Sequence, residues 1–290
     1  MESLNQFLPC EPFCQQSDPT LAQLAVQVNI FDSGGIAIGM GFSHKINDGI
    51  TGSSFIKSWA ANSRGSYNNV INANLSDASL SFPSQESLPP KYTSLMESLW
   101  FGPRKFSTGR FVFGANAIAI LTNKGRSELI WNPTRVEAPG AFIWRCAMKA
   151  CTRVSGTLKP SVMSQAVNIR RLTKRRLSRY SIGNLVWSAI ASYKPNKAEM
   201  GIQEFVALVR GGVARINSDY LKTMSGNEGS IAIFEHLNGL AEIASENPDV
   251  FSFFSWHTFD FSDIDIGWEG LFGLAFLERL VKTVPVTPIS

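Results

Sequence analysis

A mixed α/β (α+β) fold is predicted for this chain from three observations. Alternating, β-rich segments flank a glycine-rich turn near residue 34. Several later stretches place apolar residues at helical spacing, and no internal repeat is present. Taken in order, residues 21 to 31 (LAQLAVQVNIF) alternate and read as a strand. Asp32-Ser33-Gly34-Gly35 is a turn. Residues 36 to 42 (IAIGMGF) read as a buried strand whose small residues let another backbone approach closely. The two strands make a hairpin, which leaves His44 at a strand end. Residues 50 to 61 form a helix with Phe55, Ile56, Trp59 and Ala60 at helical spacing.

Residues 62 to 109 are rich in Ser, Asn and Pro and weakly periodic, which suits a long surface connection between domains. Two domains follow from this boundary, residues 1–109 and 110–290. In the second, Phe111 to Phe113 is a short strand and Asn116 to Lys124 a helix. Thr134 with Glu137 three positions later fits a capping box, opening a helix whose apolar face is Phe142, Ile143, Ala147 and Ala150. Val162 to Ile169 is a strand, Gly201 to Tyr220 one long amphipathic helix, and Ser230 to Ala244 another helix. Val250 to Trp256 is a buried strand, and the apolar stretch 271–281 (LFGLAFLERLV) reads as an amphipathic helix.

Bulk composition narrows the function classes. With 290 residues and 44% hydrophobic content the chain can bury a sizeable core, and only 17% charged residues argues against disorder. A net charge of +4, spread along the chain except between Arg170 and Arg179, does not indicate a nucleic-acid partner. No stretch approaches the roughly 18 apolar residues of a membrane span, and no secretory signal is visible. A cytoplasmic location and free thiols at Cys10, Cys14, Cys146 and Cys151 are the expectation. No His or Cys pair follows Cys10 and Cys14 at zinc-site spacing, so no metal is expected.

Two motifs carry chemistry. The first is Ser43-His44-Lys45-Ile46-Asn47-Asp48-Gly49. A single His-x-x-x-Asp is unspecific, and a lone histidine is more often structural. However, His44 follows a glycine-rich buried strand and precedes a tight turn, a place where a side chain can be held rigidly. Only three histidines occur, so His44 has few competitors as a base near neutral pH. The second motif, Asp265-Ile266-Gly267-Trp268, read alone, is an Asp-x-Gly turn with a packed Trp.

Together the motifs resemble the BAHD acyltransferases, which carry His-x-x-x-Asp and a later Asp-Phe-Gly-Trp-Gly. Here the first is complete, and the second has Ile266 where Phe is usual. Further resemblances follow in the family's order: Gly34-Gly35, Phe82-Pro83, Arg110 to Phe113, Thr134 to Ala138, Ala141 to Trp144, Asn168 to Arg171 and Ser181 to Asn184. The likeness runs over roughly residues 20 to 268 and leans to the vinorine-synthase-like branch. It departs at both ends. About a hundred residues of a typical member are expected to precede this region, and Trp268 is followed by Glu269-Gly270 in place of Gly.

The resemblance implies two chloramphenicol-acetyltransferase-like domains, the N-terminal one incomplete. It implies acyl transfer, mostly acetyl, from acyl-CoA as cosubstrate to an alcohol or amine, by a monomer. His44 would be the general base, Asp48 either its partner in a catalytic dyad or a structural partner of an arginine, and Trp268 a donor to the oxyanion or a packed aromatic. Asp265 and Gly267 would hold a motif turn, with Arg170 or Arg171 as the partner of Asp265. Thr134, Arg135 and Asn184 are the expected coenzyme contacts. Two other readings stay open. One is a non-catalytic relative acting as a binding or regulatory partner. The other is a hydrolase, for which no Gly-x-Ser-x-Gly elbow exists.

Overall fold

The computed structural model describes residues 2–10, 22–83, 109–173, 177–195, 200–226, 229–259, 261 and 264–267. In chain order the helices are α1 (Glu2–Asn5), α2 (Gly49–Ser63), α3 (Asp77–Ser81), α4 (Ala115–Lys124), α5 (Glu137–Ser155), α6 (Ile202–Ala214), α7 (Ser218–Thr223) and α8 (Gly229–Ser245). The strands are β1 (Leu24–Ile30), β2 (Ile36–Phe42), β3 (Ser161–Asn168), β4 (Val186–Tyr193) and β5 (Asp249–Phe253). They form two compact units that interleave in sequence. One holds residues 1–80, 177–185 and 256–279; the other holds 81–176, 186–255 and 280–290. A single cut after residue 109, as the sequence suggested, does not describe this partition.

In the first unit β1 and β2 pair antiparallel, with Val28 opposite Ile38 and Ile30 opposite Ile36. The predicted turn closes the hairpin, with Phe31 donating its N–H to Gly35 O at 2.9 Å. Gly39 shows why this strand carries small residues: a Cβ there would lie 2.0 Å from the carbonyl oxygen of Phe7. The polar side chains of β1 face that N-terminal segment, Gln27 donating to Gln6 O and Asn29 to Phe7 O. Consequently Val26, Val28 and Ile30, with Ile36 across the ladder, lie on the uncovered face.

The second unit is built on a three-stranded sheet in the order β4-β3-β5, antiparallel between β3 and β4 and parallel between β3 and β5. Register places Met163 between Ala191 and Phe251, so all three point to one face. There they meet Trp144 and Met148 of α5 and Phe205, Val206 and Val209 of α6. Trp144 is fully enclosed, its ring edge-on to Phe205 at 5.0 Å and its Nε1 donating to Ser161 Oγ at 2.7 Å. This satisfies the one polar atom of a large apolar side chain.

The structure corrects further sequence expectations. The buried face of α5 is Ala141, Trp144, Met148 and Cys151, one position away from the expected Phe142, Ile143, Ala147 and Ala150, of which Ile143 and Ala150 are exposed. Residues 201 to 220 are two helices, because Asn217 caps a new one by accepting the N–H of Tyr220 at 2.9 Å. Phe111 to Phe113 is not a strand; Phe111 and Val112 are exposed and belong to no sheet. β4 has no counterpart among the segments expected from periodicity. The segment 271–281, Cys14 and Trp268 lie outside the described residues.

Candidate functional site

The hairpin delivers His44 directly. Ser43 extends the ladder by donating to Gln23 O at 2.9 Å, after which the chain turns at residues 44–46 and enters α2 at Gly49. His44 itself is exposed. The end of the turn is fixed by Asp48, which is 2% exposed. Its Oδ1 accepts the N–H of Thr51 at 2.9 Å, so Asp48 is the N-cap of α2. Its Oδ2 accepts the N–H of Leu185 at 3.0 Å.

Leu185 ends a short segment that crosses this turn with three successive residues. Gly183 O accepts the hydroxyl of Thr51 at 3.1 Å. Asn184 Nδ2 donates to the carbonyl oxygen of His44 at 2.9 Å. The same segment is anchored to the chain after α2, where Asn74 donates to Tyr180 O and Ile182 donates to Asn74 O. Asn184, selected in the sequence as a coenzyme contact, thus touches the histidine turn. Thr51 and Leu185 were not singled out, and only their roles as backbone or hydroxyl partners reveal them.

The second motif lies in the same unit. Asp265 Oδ1 accepts the N–H of Gly267 at 2.8 Å, and Oδ2 pairs with Arg64 Nη1 at 3.1 Å. Arg64 also donates to the carbonyl oxygen of Asp265. Gly267 has φ +86°, the left-handed region that a side chain disfavours, which accounts for the Asp-x-Gly spacing. The partner of Asp265 is therefore Arg64, not Arg170 or Arg171 as the sequence suggested. Arg64 is the C-cap of α2, and a separation of 201 positions left no sequence signal for the pairing.

Arg170, Thr134 and Arg135 belong to the other unit. Arg170 is buried and donates through Nη1 to Asn168 Oδ1 at 3.3 Å. Thr134 and Glu137 form the predicted reciprocal capping box: Thr134 N–H to Glu137 Oε2 at 2.7 Å, and Glu137 N–H to Thr134 Oγ1 at 3.1 Å. Arg210 grips Glu137 with two bonds, Nε to Oε1 at 2.8 Å and Nη2 to Oε2 at 2.7 Å. Burial alone would push this carboxyl up, but the bonds from Arg210 and Thr134 outweigh it and hold it below its ordinary range. The helix start therefore already carries an anion, and both the N–H and the hydroxyl of Thr134 are engaged with Glu137. Arg135 is exposed beside it. Among the described residues, no group of three or more His, Cys, Asp or Glu is arranged to hold a metal ion. No described helix is long and apolar enough to cross a membrane.

The model of the Transferase family matches residues 1–272. The chain is 37% identical over 247 residues to limonoid 7-O-acetyltransferase of Citrus sinensis, covering 84% of this chain and 54% of that protein. It is 30% identical over 282 residues to akuammiline synthase 2 of Alstonia scholaris, covering 96% and 62%. A BAHD acyltransferase of Arabidopsis thaliana is 30% identical over 98% of this chain and 66% of its own length. Among solved structures, vinorine synthase superposes with a TM-score of 0.73 at 23% identity over 98% of this chain and 63% of that one, which shows the fold. TRI101 of F. graminearum, solved with coenzyme A and deoxynivalenol, gives 0.57 at 14% identity over 84% and 57%. The chain thus spans 54% and 62% of the first two of these plant relatives, less than two thirds of either. On sequence and fold together, the chain belongs to the plant BAHD acyltransferases of the Transferase family.

Proposed function

We propose that this chain is an acyl-CoA-dependent acyltransferase that moves an acetyl group onto a hydroxyl, or an amine, of a plant specialised metabolite. The reading is carried by His44: an exposed residue just past a strand end, on a turn that leads to Asp48, which is buried and doubly bonded. Relatives named as O-acetyltransferases of limonoids and alkaloids supply the reaction class.

In the proposed step, neutral His44 takes the proton of the acceptor hydroxyl as its oxygen attacks the thioester carbonyl. The C–O bond forms, the C–S bond breaks from the tetrahedral intermediate, and the leaving thiolate receives the proton back from the imidazolium. Ester and free coenzyme A result. A positioned base contributes roughly 10²- to 10⁴-fold. Asp48 acts structurally, since each of its oxygens holds a main-chain N–H. Trp268 donates its indole N–H to the oxyanion, and the exposed Arg135 attracts the coenzyme phosphates. No acyl-enzyme forms, so the cysteines take no part. The protein works as a cytoplasmic monomer.

The test is His44→Ala, measured as thiol release from acetyl-CoA with a panel of terpenoid and indole-alkaloid alcohols. Turnover should fall by at least about 100-fold; unchanged turnover refutes the assignment. A second reading is a non-catalytic relative that binds coenzyme A. Coenzyme A binding with no thiol release in the unsubstituted protein would support it.

A further inference from the structure

The geometry points to Asn184 as a positioning residue for His44 rather than a coenzyme contact. The inference rests on the reading of His44 as the base. A general base works only if its ring is held where the acceptor proton will be, and a displacement of about 1 Å can cost 10²-fold. The His44 side chain is exposed, so packing does not hold it. What fixes its position is the backbone that carries it. On the C-terminal side the turn is pinned at buried Asp48 and Thr51, through Leu185 N–H and Gly183 O. On the N-terminal side it is pinned by the ladder bond from Ser43 to Gln23. Between these anchors, the carbonyl of His44 lies in the turn itself, and the Asn184 carboxamide reaches it at 2.9 Å.

Asn184 is well suited to this by its own anchoring. Its neighbours Gly183 and Leu185 are both bonded to the same stretch, so its backbone is fixed relative to the turn before its side chain is considered. A donor held this way loses little rotational freedom on bonding and sets the orientation of the peptide group after His44. A carboxamide can donate to the carbonyl, whereas a carboxylate of the same shape can only accept.

The experiment compares the full chain with Asn184→Asp and Asn184→Ala. Two measurements are made: thiol release from acetyl-CoA with the alcohol panel, and amide hydrogen exchange across His44 to Asn47. The expected result is a kcat lower by about tenfold or more, a KM for acetyl-CoA within about twofold, and faster exchange confined to that turn. Asn184 is exposed, so both variants should fold, and the thermal midpoint confirms it. A raised KM for acetyl-CoA with unchanged kcat would make Asn184 a coenzyme contact and overturn the inference. Unchanged exchange in both variants would overturn it as well. If the unsubstituted protein releases no thiol, the acyltransfer reading fails, and the exchange comparison alone still decides whether Asn184 holds the turn.

Discussion

The carboxylate of Asp48 holds the N–H of Leu185 at 3.0 Å across 137 positions of sequence, while its other oxygen caps the helix that follows His44. One buried side chain thus joins a helix start to a distant strap. Asp48→Ala should remove both bonds and leave two buried N–H groups without this acceptor, a loss of about 2 to 4 kcal/mol in urea unfolding. Asp48→Asn keeps one acceptor oxygen and should lose about half as much. A loss in Asp48→Ala below about 0.5 kcal/mol would contradict the double role.

The Glu137–Arg210 pair gives an acid-side signature. The folded carboxyl sits below its ordinary value of 4.5, since the bonds from Arg210 and Thr134 overcome the upward push of burial. The unfolded state therefore binds the proton more readily. The pair's contribution is fully present above pH 4.5 and is lost as pH falls through the lower, folded value. In Glu137→Gln the urea midpoint should fall less steeply on acidification than in the parent. Parallel curves would show that the pair adds nothing, as exposure of the Arg210 side chain at 35% could bring about.

A second pH effect has the same sign and a different origin. Tyr220 Oη accepts from Trp187 Nε1 at 3.2 Å and lies 3.2 Å from His236 Nδ1. Burial lowers the pKa of His236 below 6.5, which favours a neutral ring able to accept the phenol proton. The folded state then binds fewer protons than the unfolded one, so stability is full above pH 6.5 and declines as pH falls below it. An NMR titration should place the His236 imidazole below 6.5, and His236→Leu should flatten the stability profile between pH 5 and 7. A titration at or above 6.5 would reject the account.

Trp144 tests the core of the sheet unit. Trp144→Phe keeps most of the ring packing on Phe205 but orphans the Ser161 hydroxyl, at a cost of about 1 to 3 kcal/mol. Trp144→Ala should cost about 3 to 5 kcal/mol, because the enclosed volume cannot refill. Equal losses in the two variants would mean that the ring's bulk contributes little.

Short-range pairings are legible in the sequence, and long-range ones are not. The hairpin, helix α2 and the Thr134–Glu137 capping box each rest on residues within a few positions of one another. The break at Asn217 was visible in kind, an Asn before a helical stretch, but the apolar pattern through Ile216 masked it. β4 mixes Ser and Ala with larger residues (VWSAIASY), so its period is weak until β3 supplies the ladder. Phe111 to Phe113 has the residues of a strand and no partner, and propensity without pairing does not make one. At the site, His44 was legible from its setting, whereas Arg64, Thr51 and Leu185 act through the chain's return and left no local trace.

The strap also sets a timetable for biosynthesis. His44 leaves the ribosome long before Asn184 and Leu185, which are 140 and 137 positions after the residues they bind. At about 5 to 20 residues per second, the interval is roughly 7 to 28 s. During it the nascent turn has its ladder and its helix cap but no clamp, so the imidazole gains its fixed setting only after residue 185 has been made. A ribosome that stalls before residue 183 would release a product with the histidine in place and nothing to aim it.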